Sequence, residues 1–210
     1  MPSILIIDDH TIVRRGIRAI TEDALNDIEI HEAGSALEGL AILCVHPTDL
    51  VVLDIGLPDR NGFELLKQIR QKWPRLPILI LSMYNEDQYG LRAMQAGAAG
   101  YLNKASVPEN LVLAIRKILA GGRYVSPELA EKLAEHVSGM TLEQPHQTLS
   151  DREFQILCMI GSGKTASEIA NVLCLSIKTI STYRARILEK MHLKNNAELT
   201  YYTISHQLVD

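Results

Sequence analysis

Four short stretches of this chain put carboxylates, a hydroxyl and an amine where predicted strands end: Asp8-Asp9, Asp54, Ser82 and Lys104. Each closes an apolar run, ILII before Asp8, LVVL before Asp54, ILIL before Ser82 and GYLN before Lys104. In an open parallel sheet the carboxyl ends of the strands face one crevice, where ligands bind. Residues far apart in sequence therefore converge on one acidic pocket with a single lysine. An aspartate that accepts a phosphoryl group there must stay ionised, and a metal and a fixed cation must neutralise the transferred oxygens. Magnesium prefers oxygen ligands and retains several waters, so Asp8, Asp9, Asp54 and a backbone carbonyl near Gly56 suffice to hold Mg2+. Lys104 would sit on the phosphoryl oxygens as a point charge, and the Ser82 hydroxyl would donate to one of them.

Regular strand–helix alternation must position these groups. Strands are predicted at about 3–8, 28–33, 50–54, 78–82 and 100–102, and helices at about 11–24, 35–45, 62–72, 86–96 and 108–120. In the first helix Ile12, Val13, Ile17 and Ile20 are expected on one apolar face, away from Arg14, Arg15 and Arg18. Continuously apolar strands alternating with helices imply an α/β fold with a five-stranded parallel sheet covered on both faces. Gly121-Gly122 ends the fifth helix. A short helix from Pro127 to Val137 is expected, capped by Ser126. The polar stretch from Ser138 to Thr148 reads as a linker.

Beyond Leu149 the pattern is wholly helical. Ser150 and Glu153 form a capping box. Gly161-Ser162-Gly163 is a stop, Ser167 opens a short helix, and Ser176 caps a longer one over about 177–191. A last helix follows Asn195-Asn196. Four short helices with a tight turn between the second and third suggest an all-α helix-turn-helix domain. The expected organisation is thus 1–122, a linking segment 123–147, and 148–210.

Charge supports the division. Residues 1–122 carry 12 Lys/Arg against 15 Asp/Glu, whereas 148–210 carry 7 against 6. Within 176–194, five cations face one glutamate, a basic stripe on a protein of net charge −4. Such a stripe is a nucleic-acid signal. Ile180, Ile187 and Met191, flanked by Leu188, form the buried side of that helix. Lys178, Ser181, Thr182 and Ala185 lie opposite, flanked by Arg184, Arg186 and Lys190. Small polar residues allow approach to base edges, long cations reach phosphates, and Thr179 or Tyr183 can donate to a phosphate. No apolar run approaches the roughly 20 residues of a membrane span. The N-terminus begins a strand without a leader pattern, so a cytoplasmic protein is expected. Cys44, Cys158 and Cys174 are expected as reduced core thiols.

The set ILIIDDH, VVLDIGLPDRNG, ILILS and GYLNK resembles the receiver domain of bacterial two-component response regulators, over about residues 1–122. The resemblance implies a flavodoxin-like doubly wound domain. In it Asp54 accepts phosphate from a sensor histidine kinase, Asp8 and Asp9 help hold magnesium, and Ser82 with Tyr101 forms a switch pair. The string from LSDRE through SEIA to LSIKTISTYRARILEKM resembles the four-helix output domain of NarL/FixJ (LuxR-type) regulators, over about 148–210. It implies that 177–191 is a recognition helix for double-stranded promoter DNA, with Ser181, Thr182 and Ala185 nearest the bases. It also implies a homodimer when phosphorylated. Tyr183 stands where that family usually has histidine.

Two enzyme readings fail on the residues. Gly163-Lys164-Thr165 mimics the end of a P-loop, but the first glycine of that motif is replaced by Cys158, and the segment lies between helices. A haloacid-dehalogenase-type phosphohydrolase wants a second aspartate two positions after its nucleophile, and that position is Gly56.

Overall fold

The fold is described from a computed structural model over residues 1–84, 86–137 and 144–209, leaving aside the side chains at 87, 88, 109, 136 and 137. The chain divides into two compact units, Met1–Ser138 and Gly139–Asp210. In the first, β1 (Ser3–Ile7), β2 (Glu29–Ala33), β3 (Leu50–Asp54), β4 (Ile78–Ser82) and β5 (Gly100–Asn103) form one parallel sheet in the order β2-β1-β3-β4-β5. The central strands β1, β3 and β4 are buried along their whole length. That burial on both faces is why they read as continuous apolar runs.

Side chains alternate across the sheet. Ile4, Ile6, Val52 and Leu81 face α1 (Thr11–Ala24) and α5 (Val107–Leu119), where Ile17 and Leu111 complete the core. The other face carries α2 (Ala36–Val45), α3 (Gly62–Lys72) and α4 (Glu86–Gln95). α2 comes so close that a Cβ on Gly39 would stand 2.5 Å from Ile7. One expectation fails in α1: Ile12 is 86% exposed. It occupies the first turn, before the helix has crossed onto the sheet, so periodicity alone overstated the apolar face.

α6 (Pro127–Val137) starts with the Leu129 amide donating to Ser126 Oγ at 3.0 Å, and Leu129 is buried against Gly90 of α4. Tyr124 pairs in parallel with Gly100 at the sheet edge. Of the stretch expected as a polar linker, residues 138–143 lie outside the described residues. Pro145–Thr148 forms a 3-10 turn.

The second unit holds α7 (Asp151–Gly161), α8 (Ala166–Val172), α9 (Ile177–Lys190) and α10 (Asn196–Ser205). Ser150 and Glu153 cap α7 reciprocally, Ser176 caps α9, and Asn195 caps α10. α8 differs from expectation. Thr165, not Ser167, accepts the Glu168 amide and completes a capping box with the Glu168 side chain. A T-x-x-E box two residues upstream outcompetes a serine whose own third neighbour is Ala170. α7 packs on α9 and α10, and a Cβ on Gly161 would stand 2.3 Å from Thr203 Oγ1. The thiols also need correction. Cys158 is buried, but Cys44 and Cys174 are exposed, Cys174 with φ +51° just after α8.

Candidate phosphoacceptor pocket and DNA-reading helix

The ends of β1 and β3 and the turn after β5 deliver their polar residues to one place. Lys104 Nζ lies 2.6 Å from Asp54 Oδ2 and 2.7 Å from Asp8 Oδ2, bridging two buried carboxylates. Asp54 Oδ1 accepts the Gly56 amide at 3.0 Å, so both oxygens are oriented. Asp8 Oδ1 accepts the His10 amide at 2.8 Å, and Arg14 donates to the Asp8 carbonyl. Burial pushes the Asp54 carboxyl above its ordinary range, against the pull of Lys104 and the Gly56 amide and with Asp8 adding to the rise. Burial works against the Lys104 ammonium too, but the two carboxylates outweigh it and raise its pKa.

The pocket fits a hard divalent cation. Asp8, Asp9, His10 and Asp54 each offer one ligand atom, all within 4.8 Å of one another. Asp8 Oδ2 and Asp9 Oδ1 are shielded from solvent, and each lies at ion-pair distance from a nitrogen of Lys104 or His10. Three carboxylates with spare lone pairs are the donor set magnesium takes.

Ser82 Oγ accepts the Tyr84 amide at 3.1 Å beside this pocket. The Tyr101 ring is fully buried, and its hydroxyl donates to the Tyr84 carbonyl at 2.8 Å. Burial drives that phenol well above its usual range, against a hydrogen bond from Ser82. Ser82 and Tyr101 thus both bond to the backbone of Tyr84, with the Tyr101 ring buried. Met83, next to Ser82 in sequence, is 74% exposed. A Cβ on Gly56 would lie 3.4 Å from Asp54 Oδ2, so any side chain there would flank that carboxylate.

Sequence reading missed three neighbours. Arg14 braces the Asp8 backbone, and its Nε lies 3.3 Å from Glu32 Oε2. His10 Nδ1 stands 2.9 Å from Asp9 Oδ1, beside the acid pair it follows in sequence. Asp59, in the loop after Asp54, takes the amides of Ala36 and Leu37 at 3.0 and 3.1 Å and so ties that loop to the start of α2. The negative charge also suits the positive end of the helix. No sequence spacing links residues 36 and 59.

On α9 the predicted faces hold. Ile180, Ile187 and Met191 are buried, while Lys178, Ser181, Thr182, Ala185 and Arg186 are exposed and Thr179, Tyr183 and Arg184 are half-buried. The Ser181 and Thr182 hydroxyls donate to the carbonyls four residues back, each at 3.0 Å. Ser176, Thr179, Tyr183 and Arg186 line a shallow hollow of about 340 Å³ with Lys178 and Thr182. Two flanking cations are engaged within the unit. Arg184 Nε donates to Asn196 Oδ1 of α10, and Lys190 Nζ lies 2.6 Å from Glu153 Oε2 of α7.

Residues 4–116 match the response regulator receiver domain, and residues 147–203 match the bacterial regulatory proteins of the luxR family. The chain is 35% identical to response regulator UvrY of Escherichia coli (strain K12) over 209 residues, covering 99% of this chain and 96% of that one. It is similar to RcsB of Salmonella enterica serovar Typhimurium bound to promoter rprA with the phosphomimetic BeF3-, at 26% identity and TM-score 0.66, covering 98% and 100% of the two chains. A structure of two RcsB dimers bound to two parallel DNAs is similar at 27% identity and TM-score 0.59, covering 97% and 98%. The pocket, the exposed face of α9 and these full-length likenesses lead to one conclusion: the chain belongs to the two-component response regulators with a LuxR-type output domain, and is a phosphorylation-dependent DNA-binding regulator of transcription.

Proposed function

We propose that Asp54 is the phosphoacceptor and that the pocket around it performs the transfer. The Lys104 ammonium bridging Asp54 and Asp8 carries this reading. An Asp54 carboxylate oxygen attacks the phosphorus of a phosphohistidine on a sensor histidine kinase. The new P–O bond forms as the P–N bond breaks, and the departing imidazole takes up a proton. Lys104 and the Ser82 hydroxyl meet the equatorial phosphoryl oxygens. Asp8, Asp9, Asp54 and the Gly56 carbonyl would hold Mg2+, which when bound supplies charge neutralisation for acceptor and phosphoryl oxygens alike. Ser82 and Tyr101 form the switch pair that reports the modification to the domain surface, shifting a pre-existing equilibrium between receiver conformations.

The output lies in α9. Ser181, Thr182 and Ala185 face base edges. Lys178, Thr179, Tyr183 and Arg186 meet phosphates, with Arg184 and Lys190 reaching the backbone while they anchor the helix. A domain this weakly charged binds poorly alone at physiological salt, so a phosphorylated homodimer reading two half-sites about one helical turn apart is the binding species. The receiver function occupies residues 1–122 and the DNA-binding function 148–210, with 123–147 joining them. The protein works in the cytoplasm, and among the described residues no helix is long and apolar enough to cross a membrane. Its only chemistry is its own phosphorylation and slow dephosphorylation, because Gly56 supplies no second carboxylate for turnover on outside substrates. Labelling with a small phosphodonor, followed by protection of promoter DNA, tests the scheme. Sustained multiple turnovers on a phosphomonoester, or protection indifferent to phosphorylation, would overturn it.

A further inference from the structure

The opposite end of the sheet carries a second concave region that the phosphotransfer reaction does not use. β3 runs from Leu50 to Asp54, so Asp49 at its start lies roughly 17 Å from the acceptor at about 3.3 Å per residue. Around Asp49 two clefts meet, of about 810 and 800 Å³, and both are lined by Asp49, Arg75 and Pro77. Clefts of roughly 300–1,000 Å³ are the usual size for small-ligand sites. Their linings differ in chemistry. The first carries Arg70, Arg75, Arg123 and the N-terminal Met1. The second carries Trp73 with Pro47 and Pro74, and the Lys72 ammonium lies 4.6 Å from the indole centroid.

The charge there runs against its surroundings. Residues 1–122 carry more acids than bases, yet the sole carboxylate shared by the two clefts, Asp49, already accepts the Ser3 amide at 2.8 Å. Arg75 and Arg123 are exposed and make no ion pair or hydrogen bond among the described residues. Arg70 lines the first cleft and donates to the carbonyl of Pro74, which lines the second. Guanidinium forks match phosphate oxygens two at a time, and an apolar, indole-walled compartment alongside suits a flat organic head. We propose that this double cleft binds a nucleoside polyphosphate, with the phosphates among Arg70, Arg75 and Arg123 and the base in the Trp73 compartment. Arg75 stands where the two compartments join, so it touches the ligand at the link between phosphate and nucleoside.

Trp73 is the chain's one tryptophan and so reports directly on the cleft. The full chain, in buffer with a chelator so that the acidic pocket stays out of play, is titrated with a nucleoside triphosphate. Indole emission is excited at its red edge. Saturable quenching is expected. Inorganic tripolyphosphate should displace the nucleotide without quenching, and the bare nucleoside should not saturate. Arg75→Ala and Arg123→Ala should each weaken binding at least about tenfold with unchanged thermal midpoints and unchanged phosphoryl labelling of Asp54. Arg75→Lys should recover part of the loss, because the charge remains without the fork. The proposal fails if no titration saturates, if the bare nucleoside binds as well as the triphosphate, if both alanine variants bind as wild type, or if a polyglutamate peptide competes as well as tripolyphosphate.

Discussion

Lys190 Nζ lies 2.6 Å from Glu153 Oε2, joining the last turn of α9 to the first turn of α7. Glu153 is 3% exposed and also closes the capping box with Ser150, while the Lys190 side chain is 42% exposed. One carboxylate thus starts one helix and holds the C-terminal end of the other. Lys190→Met should weaken this junction by about 1–2 kcal/mol, less than a fully buried pair because the lysine is half in water. Faster amide exchange in α7 and α9 would show it, and unchanged exchange would refute it.

The same pair sets a pH dependence. Burial raises the Glu153 carboxyl, but Lys190 and Ser150 outweigh that and bring it below the usual glutamate value of 4.5. A depressed folded-state pKa stabilises above the unfolded value, and the benefit is lost as pH falls through the folded one. The second unit should therefore lose stability from about pH 4.5 downward, and the wild-type advantage over Glu153→Gln should shrink over that window. Denaturation followed at several acidic pH values measures it.

Asp54→Asn should abolish labelling by a phosphodonor and leave the fold intact. Lys104→Arg keeps the charge but misplaces it, and should slow labelling by about 10²-fold, the scale for losing one preorganised donor. A chelator should suppress labelling of the wild type. Persistent labelling of Asp54→Asn would remove the acceptor assignment.

Thr182→Ala should relax base preference at one position of the site. Lys178→Ala should weaken all sequences alike and lower the salt slope by about 1. Binding isotherms on matched and mismatched sites at several salt concentrations separate the two. Equal, sequence-blind losses would mean the faces of α9 are assigned wrongly.

A Cβ on Gly62 would stand 2.3 Å from Ile55 Cα and 2.8 Å from the Asp54 carbonyl. Gly62→Ala should push the acceptor loop off the strand end, costing about 1–3 kcal/mol by overpacking and slowing phosphorylation as well. Thermal midpoint and labelling rate, measured together, check this. A variant as stable and as quickly labelled as wild type would contradict the close approach.

Local sequence determined much of this protein. The apolar runs before Asp8, Asp54 and Ser82 fixed strands β1, β3 and β4 because both faces of those strands are buried, and a run buried on both sides cannot hide its pattern. The side of α9 holding Ile180, Ile187 and Met191 was equally legible, since helical period alone sets which residues share a face. Tertiary structure decided the rest. Ile12 fits the helical period yet points to water, because burial depends on whether a neighbour is there to cover it. Cys44 and Cys174 sit in apolar contexts yet are exposed for the same reason. Asp59 reaching Ala36 and Leu37, Arg14 reaching the Asp8 carbonyl, and Lys190 reaching Glu153 join elements whose separation along the chain carries no signal. Spacing along the chain reports neighbours on one element, whereas contacts between elements exist only once the sheet and the helices have packed.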